Sequence, residues 1–222
     1  MINVLYEDNH LLCVEKPANV PVCEDSSKDE DLLTMSKQYI KEKYDKPGNV
    51  WLGLVHRLDR PVGGVVVFAR TSKAASRLSE SVRTHQLKKE YYAILDGIPN
   101  EKEGTLTDWL AKDSRTNTSY TTDKDHGKKS TLHYQVIAER NGRALVKIQL
   151  ETGRPHQIRV QFASRGLPLV NDQRYHPHPA KGPIGLYACS LTFPHPVTHE
   201  DITVTHKPPM EEPWLLFEDQ YE

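Results

Sequence analysis

With 222 residues, 37% of them hydrophobic and 27% charged, the chain has enough apolar material for one large domain or two small ones and too much to be largely disordered. Its longest apolar runs, such as Val65-Val66-Val67-Phe68-Ala69, are far too short to cross a bilayer, and the opening Met1–Asp8 has neither the basic segment nor the apolar stretch of a signal peptide. The net charge of −1 hides an uneven distribution: His56 to Arg165 carries 20 Lys/Arg against 12 Asp/Glu, while acidic residues gather in Glu24–Asp31 and Glu211–Glu222.

A basic middle with acidic flanks permits nucleic-acid binding and is equally compatible with ordinary solvated surface charge. The three cysteines, Cys13, Cys23 and Cys189, cannot all pair and none stands in a Cys-x-x-Cys spacing. A reducing cytoplasm is therefore the expected compartment, with no membrane partner and no structural zinc.

In chain order, residues 2–6 and 10–15 read as two short strands around an Asp-Asn turn. Asp31 to Tyr44 reads as a helix, with Leu32, Met35, Tyr39 and Ile40 at helical spacing. Gly64–Arg70 is a continuous β-branched run suited to a buried strand. The helix after it is expected to be capped by Ser72, with Ala75, Leu78 and Val82 as its apolar stripe. Lys89–Gly97 reads as a strand with Tyr91, Ala93 and Leu95 on one face. Gly104–Lys129, rich in Thr, Asp, Lys and Ser, reads as short strands and loops. Ser130–Ala138 and Arg143–Leu150 form a hairpin through Asn141-Gly142. Pro155–Ser164 fits a short helix with Pro155 in its first turn, Ile184–Phe193 another strand, and the last residues a terminal helix. No internal repeat or linker divides the sequence. A single α+β domain over residues 1–222 is expected, built on a mixed, mainly antiparallel β-sheet with flanking helices and loops.

Two segments carry chemistry. His56-Arg57-Leu58-Asp59-Arg60-Pro61-Val62-Gly63-Gly64 places one carboxylate among a histidine and two arginines, ahead of two glycines and a buried strand. Adjacent guanidinium groups would hold Asp59 ionised; a structural ion-pair cluster at a strand start is the competing reading. Leu150-Glu151-Thr152-Gly153-Arg154-Pro155-His156-Gln157-Ile158-Arg159 supplies a strand end, a turn and a helix start. On helical spacing His156 and Arg159 share a face and suit an anionic group, while a capped surface helix with solvated charges is the alternative. The histidines at 176, 178, 195, 199 and 206 lack a supporting cysteine or carboxylate cluster, and no metal is expected.

Together these segments resemble the RluA-type pseudouridine synthases. His56-Arg57-Leu58-Asp59 is similar to that family's signature, Lys89-x-Tyr91-x-Ala93-x-Leu95-x-Gly97 to its second motif, and Gly153-Arg154-x-His156-Gln157-Ile158-Arg159 to its third. Pro168-Leu169-x-x-Asp172-x-x-Tyr175 continues the third motif, and Lys16-Pro17 and Phe193-x-His195-Pro196 also fit. The likeness runs from about residue 3 to residue 205. It departs from the family pattern at Val62-Gly63-Gly64 (commonly Thr-Ser-Gly), at Gln161 (often His), and at Asn171 and Asn19 (often Gly). Because the motifs begin almost at residue 1, the small N-terminal RNA-binding domain of many relatives is expected to be missing.

The resemblance implies a pseudouridine synthase fold and isomerisation of specific uridines in ribosomal RNA, transfer RNA or both, without cofactor or metal. It implies Asp59 as the catalytic carboxylate, Arg159 as its partner and Tyr91 in the active site. Arg57 would fill the space vacated by a flipped uridine. His56 would contact phosphate or support the loop, and Arg154 and His156 would bind substrate. Asp59 could attack the sugar, attack the ring or remove a ribose proton. A monomer is expected. A catalytically silent RNA-binding or ribosome-assembly module is the alternative, supported by the altered Val62-Gly63. A carboxylate hydrolase of nucleosides would want a second catalytic carboxylate near Asp59, and no motif supplies one.

Overall fold

The computed structural model describes residues 2–221. Its fold is α+β, with mixed, mainly antiparallel strand pairing. The chain divides into two compact units: residues up to Lys89 together with Ala188–His206, and Glu90–Tyr187 together with Lys207 onward.

In the first unit, β1 (Asn3–Glu7), β2 (Leu11–Lys16), β4 (Gly63–Ala69) and β10 (Leu186–Pro194) follow one another across the sheet. The two-residue β3 (Gly53–Leu54) pairs with β4, and β11 (Asp201–Thr205) pairs with β10. Alternate residues Leu11, Cys13, Val65, Val67, Ala69, Leu191 and Phe193 pack with Ala74 and Leu78 of helix α2 (Ser72–Arg83). The intervening Leu12, Val14, Val66 and Phe68 are just as inaccessible, which is why β4 reads as an unbroken apolar run: it is covered on both faces. Helix α1 (Leu32–Lys43) starts at Asp31, whose carboxylate accepts from Thr34 N–H, as the sequence suggests. For α2 the cap is one residue earlier than expected: Thr71, extended, accepts from Ala74 N–H at 3.1 Å.

The second unit orders its strands β5 (Lys88–Leu95), β9 (Arg143–Leu150), β8 (Lys128–Arg140), β6 (Glu103–Asp113) and β7 (Thr118–Thr122). Asn141 and Gly142, at φ 51° and 72°, close the β8–β9 hairpin in the left-handed conformation such a tight turn requires. The polar stretch expected to be short strands and loops is instead dominated by β6, eleven residues long. Only Leu106 and Leu110 on it are buried, so a strand solvated along most of its length carries little apolar signal. Helix α3 (Gln157–Ala163) packs Phe162 edge-on against Tyr134 of β8. Trp214–Gln220 forms a 3₁₀ helix, and Arg140 fastens it through a bidentate pair with Asp219, both bonds 2.7 Å.

Candidate active site

In the first unit the segment between β3 and β4 alternates buried and accessible side chains. His56, Leu58 and Val62 are buried, Arg57 is exposed, and Asp59 is half-buried between them. Val62 N–H donates to Asp59 C=O at 2.9 Å and closes the turn. Val67 N–H of β4 donates to His56 Nε2 at 3.1 Å, so this nitrogen is unprotonated and the proton sits on Nδ1. Burial, reinforced by the charge of Lys89, holds the His56 pKa well below the ordinary histidine value. The neutral ring pins the loop to β4.

A second support comes from Lys16 at the end of β2. Its ammonium is completely buried and donates to three carbonyls, those of Pro17 (3.0 Å), Val20 (2.6 Å) and Arg60 (2.9 Å). Three protons meet three acceptors, and the Arg60 carbonyl belongs to the Asp59 turn. Burial pulls the Lys16 pKa down to about 7; the Asp59 charge opposes that shift and Arg60 adds to it. Arg60, read from sequence as a neighbour holding Asp59 ionised, turns its guanidinium to Asp25 (3.2 Å) and Asp29. The sequence holds a trace of the Lys16 cradle in Lys16-Pro17, but nothing in it says that this lysine is buried.

Gly64, the second residue of β4, has φ 131°, and a Cβ there would lie 2.6 Å from the Ala188 backbone nitrogen on β10. The glycine is thus required by close approach of two backbones. Of the departures from the family pattern, Asn19 (φ 66°) and Asn171 (φ 59°) both occupy the left-handed region, where Asn is tolerated best after Gly. These two replacements preserve the local backbone.

In the second unit the segment after β9 is organised by Gln157. Its side-chain oxygen accepts from Thr152 Oγ1 (2.9 Å) and Arg154 N–H (3.0 Å), and its amide donates to Thr131 C=O (3.1 Å). Pro155 lies outside α3, and His156 precedes the helix in the left-handed conformation at φ 54°. The expected i, i+3 helical pairing of His156 with Arg159 therefore does not apply. The two still converge, on Tyr175: its hydroxyl lies 2.6 Å from His156 Nδ1, and the Arg159 guanidinium sits 5.1 Å from its ring centroid. The hydroxyl also accepts from Ser119 N–H at 2.8 Å.

Arg159 is buried and forks onto Asp172, with Nε to Oδ2 at 2.9 Å and Nη2 to Oδ1 at 2.8 Å. Asp172, with no accessible surface, also accepts from the N–H groups of Arg174 (3.0 Å) and Tyr175 (3.3 Å). Burial alone would raise its pKa, but the Arg159 hydrogen bonds and charge, with those backbone donors, hold it below the usual carboxylate value. The Asp172 and Tyr175 roles were not legible beforehand, although their spacing continues the third motif. Arg154 is exposed, its Nε donating to Lys129 C=O at 3.4 Å. Gln161 is buried and donates to Asp108 at 2.7 Å, a structural use of another departing position. Tyr91 is buried on β5, and its neighbour Tyr92 is buried with its ring 5.3 Å from Tyr221.

The histidines that could suggest a metal are placed otherwise: His176 pairs with Asp96, His195 with Asp8, and His206 lies 3.7 Å from Glu15. Among the described residues no group of three or more His, Cys, Asp or Glu is arranged to hold a metal ion. Among the described residues no helix is long and apolar enough to cross a membrane.

Residues 10–164 match the family model described as RNA pseudouridylate synthase. An uncharacterized RNA pseudouridine synthase of Zymomonas mobilis is 36% identical over 177 residues, 79% of this chain and 78% of that protein. Ribosomal large subunit pseudouridine synthase D of Yersinia pestis is 33% identical over 184 residues, 82% of this chain; the chain spans only 55% of that relative's length. Ribosomal large subunit pseudouridine synthase C of Buchnera aphidicola is 30% identical over 212 residues, 91% of this chain and 65% of that relative. The structure called human RNA pseudouridylate synthase domain containing 4 shares the fold, with a TM-score of 0.79 over 93% of this chain and 88% of that one at 22% identity. The chain belongs to the RNA pseudouridylate synthase family, isomerases that act on RNA.

Proposed function

We propose that this chain converts specific uridines of large-subunit ribosomal RNA to pseudouridine, with Asp59 as the catalytic carboxylate. The observation that carries the reading is the loop itself: a half-buried Asp59 beside an exposed Arg57, on a turn fixed from beneath by His56 and Lys16. A fixed carboxylate with an open side is what a reaction on an extruded nucleotide needs. The relatives whose names include the ribosomal large subunit point to the RNA.

The reaction breaks the bond from ribose C1′ to uracil N1, turns the base, and forms a bond from C1′ to C5, whose proton is lost as N1 gains one. Atoms and electrons balance without a donor, so the proposal needs no cofactor. Asp59 acts as nucleophile or base on the nucleoside. Tyr91 stacks on the uracil and takes part in proton removal at C5. Arg159 takes the part of partner to the catalytic carboxylate that the family resemblance assigns to it. Extruding the uridine costs roughly a few kcal/mol, which Arg57 offsets by filling the vacated stack. Arg154 and His156 meet the RNA backbone, and affinity falls with salt accordingly. The enzyme works in the cytoplasm as a monomer.

The test is a site-resolved pseudouridine map of ribosomal and transfer RNA from cells with and without the gene. Loss of large-subunit positions, restored by wild type and not by Asp59→Asn, is the expected result. Restoration by Asp59→Asn removes Asp59 from the chemistry. An unchanged map, together with no product from purified protein on transcribed large-subunit RNA, overturns the activity.

A further inference from the structure

The first unit has a second concave feature. At the end of β4 away from the Asp59 turn, about 20 Å along the strand, a cavity of about 520 Å³ opens between the first turns of α2 and the loop after β10. Lys73, Arg77, His10 and His199 line it together with apolar Pro196 and Val197, and among the described residues no carboxylate does. The nearby Asp8 is committed elsewhere: its oxygens accept from the N–H groups of His10 and Leu11 and from Tyr6, and pair with His195.

The rim is built rather than loose. His195 Nδ1 accepts from Val197 N–H (3.2 Å) and Thr198 N–H (3.0 Å), while Nε2 lies 2.9 Å from Asp8. Arg77 donates to the Pro196 carbonyl, which ties the loop to α2. The fixed loop leaves Val197 46% exposed at the cavity, a hydrophobic side chain facing solvent beside cations. The N-terminus of α2 does not make this site, since Thr71 already caps it.

Cations alone would suit a simple anion, and an apolar lining alone an aliphatic group. Side by side in this volume, they suit a flat base joined to a phosphate. We propose that this cavity holds an unpaired nucleotide of the substrate RNA, its base against Pro196 and Val197 and its phosphate on Lys73 and Arg77. The inference rests on the RNA-modifying reading above. It adds a second grip on the RNA, one strand length from the catalytic turn. An acidic protein segment would meet the same cations, but it would leave the apolar Pro196 and Val197 without a matched group.

The probe is a fluorescein-labelled oligouridylate of about 12 nucleotides carrying 4-thiouridine, used with the full chain. Irradiation followed by peptide mapping should place cross-links within residues 71–77 or 196–199. By anisotropy, Lys73→Glu and Val197→Asp should each weaken binding about tenfold, and Lys73→Glu should lower the salt slope by about 1. Lys41→Glu, the same reversal on the exposed face of α1, should stay within about twofold. Unchanged melting temperatures show that the variants are folded. Wild-type affinity in both pocket variants, with cross-links only elsewhere, overturns the proposal and leaves the cavity to an acidic protein partner. Pseudouridine formation by wild type on large-subunit RNA, run in parallel, separates the two failures: product with no pocket effect sinks only this inference, and no product sinks the function.

Discussion

Replacing Asp172 by Asn should destabilise the protein far more than a change of one atom suggests. The carboxylate has no accessible surface and receives four donors: two from the Arg159 guanidinium and two from the backbone. Asparagine keeps one acceptor oxygen, but its NH₂ group faces a guanidinium N–H, and the carboxylate charge that Asp172 sets against the buried Arg159 is lost. Removing one partner of a buried pair costs about 3–5 kcal/mol. That is a large share of the roughly 5–15 kcal/mol that holds a protein folded. For a chain of this length it corresponds to a melting temperature lowered by about 6–20 °C.

The assay is urea unfolding followed by far-ultraviolet dichroism, read as a change in midpoint at constant slope. The pH dependence supplies a second signature. Because the folded Asp172 pKa is depressed, its stabilisation is complete above the unfolded carboxylate value and is lost as pH falls through the folded one. Wild type should therefore lose stability below about pH 4, and the difference between wild type and Asp172→Asn should shrink there. A loss under about 1 kcal/mol at pH 7, or a difference that does not shrink in acid, would refute the view of Asp172 as a stabilising charge partner of Arg159.

Other substitutions probe separate parts of the structure. Gly64→Ala forces a Cβ against the Ala188 backbone at a left-handed φ and should cost more than about 3 kcal/mol, with the protein recovered mainly insoluble; a soluble variant of wild-type melting temperature would contradict the close approach. Tyr175→Phe keeps the ring under Arg159 but leaves Ser119 N–H without its acceptor, and should cost about 1–3 kcal/mol in the same unfolding assay. Asn171→Ala should cost about 1–2 kcal/mol, since alanine tolerates φ 59° poorly and loses the bond to Pro183 C=O, whereas Asn171→Gly should stay within about 1 kcal/mol. Equal losses from both would remove the backbone explanation of that departure.

Periodicity carried most of the fold. The buried run read as Gly64–Arg70, the two twelve-residue helices and the Asn141-Gly142 hairpin stand within a residue of where local pattern puts them. It failed at β6, where Thr, Asp and Lys occupy a solvated strand, and at His156, whose left-handed backbone belongs to no regular element. The candidate site was legible as motif and not as geometry. Nothing local distinguishes the buried Lys16 from a surface lysine, or announces that Asp172, 13 residues on, forks onto Arg159. Both depend on chain segments brought together by the sheet, which is information that no short window contains. Arg60 shows the converse: next to Asp59 in sequence, it spends its charge on Asp25 and Asp29.

The buried ring of His56 offers an internal probe of the catalytic turn. Its proton is confined to Nδ1, which has no hydrogen-bond partner among the described residues, while Nε2 is occupied by Val67 N–H. Such an imidazole keeps one tautomer across the neutral pH range and exchanges its proton slowly, so its nitrogen resonances should stand apart from those of the exposed histidines. A shift of that signal when RNA is added would report movement of the turn three residues before Asp59, with no label attached and no residue changed.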